Sequence, residues 1–154
     1  MNQIVPCLWF ADNNCEEAVT YYVSIFPNAE IHAMVRYPNE AISEHFEGMT
    51  GKILNAEFSL NGQRYVALDG GPTFRFNEAI SLMIECDDQD EIDYYWDKLS
   101  HVEEAEQCGW VRDRFGLSWQ IIPKNIAELG NSDAQIEALM GMKKIIIKDL
   151  EAAR

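Results

Sequence analysis

Ile4-Val5-Pro6-Cys7-Leu8-Trp9-Phe10-Ala11-Asp12 decides the fold, because the chain repeats its design at Ile80-Ser81-Leu82-Met83-Ile84-Glu85-Cys86-Asp87-Asp88. Each run is apolar, ends in an acidic residue and precedes a segment with helical spacing of apolar residues. An internal repeat is interpreted first, because it constrains the whole architecture rather than one site. This repeat predicts two copies of a strand-helix-strand-strand-strand unit that face each other across a cleft.

Both predicted helices have the same start signal. In the first copy, Asn13 and Glu16 resemble a capping box at the start of a helix that ends near Phe26. In the second copy, Asp88 and Glu91 have the same spacing. Apolar residues then recur every three or four positions, which is typical of an amphipathic helix.

Strand-like segments follow each helix, and both copies include a hairpin with glycine at its turn, Asn61-Gly62 and Phe115-Gly116. The predicted strands are 29–37, 52–60 and 64–69 in the first copy, and 102–107, 110–114 and 117–123 in the second.

The sequence predicts three segments: a first module over residues 1–70, a second over 79–123 and a helical tail over 124–154. Together the two modules form one domain, which suits a chain of 154 residues that is 47% hydrophobic. In the tail, Ser132 and Gln135 resemble another capping box. The tail is amphipathic, so its apolar stripe packs either on its own sheet or on a second subunit.

Composition excludes several classes of partner. The formal net charge of −14 disfavours nucleic acid and anionic membrane surfaces, whose phosphates repel an acidic protein. The longest apolar runs are far shorter than the ~20 residues of a membrane helix, and the N-terminus lacks the pattern of a secretory signal. Four cysteines without a C-x-x-C pair suit free thiols in a reducing compartment. We therefore expect a cytoplasmic protein.

Several motifs resemble the PhnB-like branch of the vicinal oxygen chelate superfamily, which includes glyoxalase I, extradiol dioxygenases and antibiotic-resistance proteins. They are Trp9-Phe10, Phe26-Pro27-Asn28, Asn61-Gly62, the block from Cys108-Gly109-Trp110 to Trp119-Gln120, and the tail segment Met140-Gly141-Met142-Lys143-Lys144. The resemblance implies an α+β fold in which two βαβββ modules form an open, curved mixed sheet around a cleft. It also implies a homodimer.

Members of this branch often carry the label 3-demethylubiquinone-9 3-methyltransferase. A methyltransferase of the usual kind needs a glycine-rich turn from a strand into a helix, where the backbone approaches the cofactor. Here Leu68-Asp69-Gly70-Gly71 leads into Pro72, and no helical pattern follows. The residues therefore give no support for that activity, and we expect no cofactor.

The resemblance also implies a metal site, with one ligand on the first and the last strand of each module. The positions that correspond are Val5, Ala67, Ser81 and Gln120. Valine and alanine cannot bind a metal ion, serine is a poor ligand, and neighbouring positions on either strand face offer no replacement. We expect no standard metal site.

Strand alternation predicts which side chains line the cleft. The expected ligand-binding wall comprises Cys7, Trp9, Tyr65, Asp69, Met83, Glu85, Ser118 and Gln120. Ile122 follows on the same side of its strand. The opposite, more uniformly apolar set, which includes Leu8, Phe10, Val66 and Leu68, should meet the helices.

These features predict a metal-independent protein that binds a small aromatic or amphipathic molecule, because an apolar wall with a few polar groups is typical of a ligand pocket. Catalytic residues are not identified. One alternative is an enzyme of lyase, isomerase or dioxygenase type, using an atypical ion or an acid–base pair such as Glu85 and Asp69. Another is a structural dimer with an empty cleft.

Overall fold

The computed structural model describes residues 2–153. Within this range the strands are β1 (Cys7–Phe10), β2 (Glu30–Arg36), β3 (Ile53–Leu60), β4 (Gln63–Asp69), β5 (Leu82–Cys86), β6 (Trp110–Arg112) and β7 (Ser118–Pro123). The α-helices are α1 (Cys15–Ile25), α2 (Gln89–Leu99), α3 (Ile126–Leu129), α4 (Asp133–Met140) and α5 (Ile147–Ala152). The predicted α+β class is confirmed.

The chain divides into two compact units, which are described separately: unit 1 ends at Phe76 and unit 2 begins at Asn77. Unit 1 has a four-stranded sheet in the order β1-β4-β3-β2, in which β1 runs parallel to β4 and the other pairs are antiparallel. Its elements follow the predicted strand-helix-strand-strand-strand order.

The core of unit 1 lies between α1 and one side of this sheet. The helix contributes Ala18, Val19 and Tyr22, all fully buried, and the sheet contributes Phe10 and Phe58. Burying a large apolar side chain stabilises a fold by roughly 1.5–3 kcal/mol. This packing therefore fixes which side of the sheet is covered.

The predicted capping box at the start of α1 is wrong. Asn14 occupies the N-cap position without a side-chain hydrogen bond to the helix, and Asn13 has a left-handed backbone with φ of 55°. The carboxylate of Asp69 instead accepts a hydrogen bond from the backbone N–H of Cys15 at 2.8 Å. A residue distant in sequence thus satisfies a free helix donor, and local spacing cannot reveal such a contact.

Unit 2 has a three-stranded sheet in the order β5-β7-β6, with β5 parallel to β7 and β6 antiparallel to it. The predicted cap of α2 is confirmed, because the Asp88 carboxylate accepts from the backbone N–H of Glu91 at 2.9 Å. The predicted strand over 102–107 is wrong: it contains a 3-10 turn at Glu103–Ala105. Its glutamates have low preference for a strand.

The tail packs on its own unit. Its apolar side chains form a cluster with the end of β7, comprising Ile122, Leu129, Ile145 and Leu150. The side chain of Gln89 fastens the tail to α2, donating to the carbonyl of Ile145 at 3.0 Å and accepting from the N–H of Ile147 at 2.9 Å. The predicted capping box of Ser132 and Gln135 at α4 is confirmed.

Candidate functional site

Unit 2 brings its four predicted wall residues to one side of its sheet. Met83 pairs with Gln120 across β5 and β7, and residues directly paired across strands point to the same side. β6 adds two residues that the sequence analysis did not place there, because Trp110 pairs with Gln120 and Arg112 pairs with Ser118. We call this set the second-unit face: Met83, Glu85, Trp110, Arg112, Ser118 and Gln120.

The opposite side of this sheet is the core of unit 2. Trp119 and Ile121 of β7 are buried there with Val111 of β6, and α2 contributes Ile92 and Leu99. The second-unit face has a different character. Met83 is 54% exposed, Glu85 is exposed, and the side chains of Trp110 and Gln120 are half-buried. Ser118, at 2% exposure, is the buried member of the set. The other members combine apolar, polar and charged side chains that remain at least partly exposed.

Two polar contacts organise the second-unit face. The side-chain amide of Gln120 donates to the hydroxyl of Ser81 at 2.9 Å. The guanidinium of Arg112 forms an ion pair with the carboxylate of Glu78, which lies just before β5. The backbone N–H of Glu78, and next the Arg112 guanidinium, hold the pKa of this carboxyl below its ordinary value.

The far end of the wall differs from the prediction. Ile122 pairs with Glu85 and so follows the side that alternation assigns to it. However, Ile122 is buried in the apolar cluster of the tail, with Ile145 among its neighbours. The tail covers this end of the sheet, and the second-unit face therefore stops short of Ile122.

In unit 1 the strands do not place the predicted wall residues on one side of the sheet. Leu8 pairs with Ala67 and Phe10 pairs with Asp69, so the side of β4 that carries Tyr65 and Asp69 is the side that meets α1. The prediction that Tyr65 and Asp69 share a wall with Cys7 and Trp9 is therefore wrong. Alternation fixes the sides within one strand, but a change of register by one residue exchanges them between strands.

Contacts of Asp69 and Tyr65 explain this register. Asp69 is 1% exposed, and its two carboxylate oxygens accept from the backbone N–H groups of Cys15 and Ile53, each at 2.8 Å. The Tyr65 ring stacks on Phe58 with centroids 5.4 Å apart, and burial raises the pKa of its hydroxyl. Both residues hold the core together, and the hydrogen bonds of Asp69 leave it poorly suited to act as a base.

Trp9 lies on the other side of β1, next to Leu68 of β4. Its indole N–H donates to the carbonyl of Gly71 at 2.9 Å, and its ring meets Phe74 edge to face with centroids 4.9 Å apart. A side chain at Gly70 would overlap the indole, since a Cβ there would lie 2.1 Å from a ring atom. Gly70 therefore accommodates the Trp9 ring, whereas Gly71 has a left-handed backbone with φ of 76° and open space around its Cβ position. Cys7, two residues earlier on the same strand, is exposed.

The residues at the expected metal positions do not fit a divalent ion. Val5, Ala67 and Ser81 lack suitable donors. In unit 1, the β4 residues on the same side of the sheet as Cys7 and Trp9 are Val66 and Leu68, and neither can bind a metal ion. Gln120 carries the single suitable oxygen, whereas structural and catalytic sites use three or more protein ligands. Within residues 2–153, no three histidine, cysteine or acidic side chains are arranged to hold a metal ion.

Comparison with known proteins places the chain among relatives of the same fold. The model of the family described as 3-demethylubiquinone-9 3-methyltransferase matches residues 2–122. The structure of the PhnB protein from Bacillus cereus is 30% identical with a TM-score of 0.63, covering 79% of this chain and 99% of that one. The protein PA1353 from Pseudomonas aeruginosa is 22% identical with a TM-score of 0.59, covering 80% and 98%.

Two further comparisons are negative. Among curated proteins, none matches the chain significantly. Across residues 2–153, no helix has both the length and the apolar character needed to cross a lipid bilayer.

Proposed function

The chain belongs to the PhnB-like family described as 3-demethylubiquinone-9 3-methyltransferase, which has the vicinal oxygen chelate fold, and from this premise we propose that it binds a small aromatic or amphipathic molecule without a metal ion. The second-unit face carries this proposal. It combines the indole of Trp110, the amide of Gln120 and the guanidinium of Arg112 on the side of the sheet opposite α2. A few polar groups among apolar ones are typical of a ligand site.

In this proposal the family description is a name and not an activity. Gly70-Gly71 leads from β4 into a loop, and the next regular element is the strand β5 at Leu82. Contact with the Trp9 ring accounts for glycine at position 70, and a left-handed backbone accounts for glycine at position 71. We therefore expect that purified protein neither binds S-adenosylmethionine nor transfers a methyl group to a quinol precursor.

An enzyme of lyase, isomerase or dioxygenase type is the alternative, and the exposed Glu85 on the second-unit face is the observation in its favour. Asp69 is an unsuitable partner, because backbone donors occupy both of its oxygens. Turnover that disappears in Glu85→Gln, with ligand affinity retained, would favour this alternative over simple binding.

The proposal also includes a cytoplasmic location and a homodimer. An acidic chain with cysteines that are free thiols within the described residues is consistent with a reducing compartment. Light scattering on the purified protein measures the oligomeric state directly, and a mass of one chain over the micromolar range would contradict the homodimer.

Thermal unfolding of metal-free protein against a library of small aromatic and amphipathic metabolites tests the proposed function. A ligand at 100 times its dissociation constant stabilises the folded state by about 2.7 kcal/mol, which raises Tm by roughly 5–10 °C for a chain of this size. Gln120→Ala should reduce the shift, whereas the matched change Gln63→Ala at an exposed position of unit 1 should not.

Two results would contradict metal-independent binding. One is stoichiometric, micromolar or tighter binding of Mn, Zn, Ni or Fe ions by the purified protein. The other is that no compound in the library raises the Tm of the wild-type protein by more than it raises the Tm of Gln120→Ala.

A further inference from the structure

We infer that the ligand is an aromatic carboxylate, and that Arg112 binds its carboxylate group in place of Glu78. This inference rests on the proposed function and names the chemical class of the ligand. It also identifies Arg112, which the sequence analysis assigned to no wall, as the residue that determines specificity.

Arg112 supplies the positive charge of the second-unit face. The chain carries a net charge of −14, yet the six residues of this face include one cation, Arg112, and one anion, Glu85. The Arg112 side chain is 37% exposed, so its guanidinium is partly desolvated but accessible. A planar guanidinium matches a carboxylate through two parallel N–H···O bonds, which favours this anion over a neutral group.

The contact with Glu78 shows which chemical group Arg112 binds. Its carboxylate forms an ion pair with the guanidinium, and its side chain is 57% exposed. Ile80, two residues further on, is 75% exposed, so the segment that carries Glu78 has little apolar surface to hold it in place. Exposed ion pairs contribute only about 0.2–1 kcal/mol. A ligand carboxylate can therefore displace Glu78 at a small cost in free energy.

The neighbours of Arg112 indicate the rest of the ligand. Trp110 lies two residues along β6 on the same side, and this spacing places the two side chains about 7 Å apart along the strand. A bicyclic aryl carboxylate such as 2-naphthoate extends a similar distance from its charged group to the far edge of its outer ring. Trp110 can stack on the aromatic ring, and Gln120, directly opposite Trp110, offers an amide to a polar substituent.

The test uses two probes of equal shape, 2-naphthoate and its neutral amide 2-naphthamide, with calorimetry on the full-length protein. We expect the wild-type protein to bind naphthoate about tenfold more tightly than naphthamide, because a hydrogen bond to a charged group contributes about 1.5–3 kcal/mol. Arg112→Met should abolish this preference. Glu78→Gln should bind naphthoate about two- to fivefold more tightly, as expected from removal of an exposed competitor, and bind naphthamide as the wild type does.

Control variants separate recognition from folding. Glu103→Gln makes the same change of charge in unit 2, at an exposed glutamate that pairs with Lys143, and should leave both affinities unchanged. Arg112→Lys keeps the charge without the planar fork and should restore part of the preference. Denaturant unfolding of each variant establishes that the folded protein is being measured.

The outcomes distinguish the inference from the proposed function. Equal binding of the two probes by the wild type, or an unchanged preference in Arg112→Met, would overturn the inference and leave the proposed function standing. Dissociation constants weaker than about 1 mM for 2-naphthoate with the wild type would also overturn the inference, whereas the thermal-unfolding library decides the proposed function.

Discussion

The two units repeat one sequence design, yet their corresponding strands present different surfaces. Trp9 of β1 and Glu85 of β5 occupy the same position of the repeat, as do Cys7 and Met83. In unit 1 the indole of Trp9 is held by Gly71 and Phe74 of the same unit. In unit 2 Glu85 is exposed. The two copies of the strand therefore share one design, but the side chain of Trp9 packs within its own unit and that of Glu85 is exposed to solvent.

The acidic residues show the same contrast. Asp69 of unit 1 is buried and holds the start of α1 from a distant strand, whereas Asp88 of unit 2 caps α2 locally. Buried Asp113 in the hairpin of unit 2 accepts from the indole N–H of Trp119 at 2.8 Å. In both units, buried carboxylates thus accept hydrogen bonds from N–H groups of the core. The polar groups that remain available to bind a ligand are the exposed ones.

Asp69→Ala gives the largest expected effect. It removes the acceptor of two buried backbone N–H groups, so the free energy of unfolding should fall by about 3 kcal/mol, or about 150-fold in the folding equilibrium. Asp88→Ala removes an exposed cap and should cost about 1 kcal/mol. Urea unfolding measures both changes. Equal losses in the free energy of unfolding for the two variants would contradict this difference between Asp69 and Asp88.

An exposed cysteine should be alkylated about a hundredfold or more faster than a cysteine in the core. Burial raises the pKa of the Cys15 and Cys86 thiols to about 12. Partial burial also raises the pKa of the Cys7 thiol, but this side chain is exposed to reagent. A raised pKa leaves less thiolate at pH 8, and only the thiolate is alkylated. Peptide mapping after brief iodoacetamide treatment should therefore find Cys7 labelled before Cys15 and Cys86. Labelling of Cys86 at the rate of Cys7 would refute the assignment of the core side in unit 2.

The raised thiol pKa values also predict how stability depends on pH. A group whose pKa is higher in the folded state stabilises the fold below its ordinary pKa and loses this contribution as pH rises through the folded value. Unfolding should therefore become easier between about pH 9 and pH 12. Cys86→Ala should reduce this dependence, measured as the urea midpoint at several pH values.

Gly70→Ala should cost about 2 kcal/mol, or about thirtyfold in the folding equilibrium, because its Cβ would overlap the Trp9 indole. Gly141→Ala is the matched control in unit 2, since a Cβ there would meet its nearest atom at 3.6 Å. In a Trp9→Ala background the cost at position 70 should largely disappear. A cost that persists in the double variant would show that Gly70 serves some purpose other than accommodating Trp9.

The sequence predicted those features that depend on local pattern. The duplicated run located β1 and β5, and the capping signals at Asp88 and Ser132 marked the starts of α2 and α4. In unit 2, alternation along β5 and β7 placed Met83 and Gln120 on one side, as the paired register confirms.

The errors arose where distant residues decide the outcome. Asp69 has the sequence position of a wall residue, but its hydrogen bonds to Cys15 and Ile53 place it on the helix side. The register between β1 and β4 depends on such contacts and not on alternation. Glu78 belongs to no predicted strand or helix, so its pairing with Arg112 could not be anticipated from the sequence.

A crystal structure of metal-free protein soaked with 2-naphthoate tests the central claim most directly. It should show the naphthyl ring against Trp110, the carboxylate on the guanidinium of Arg112, and Glu78 displaced. A divalent ion bound by Gln120 and other protein side chains, or a second-unit face that stays empty while the probe binds elsewhere, would contradict it.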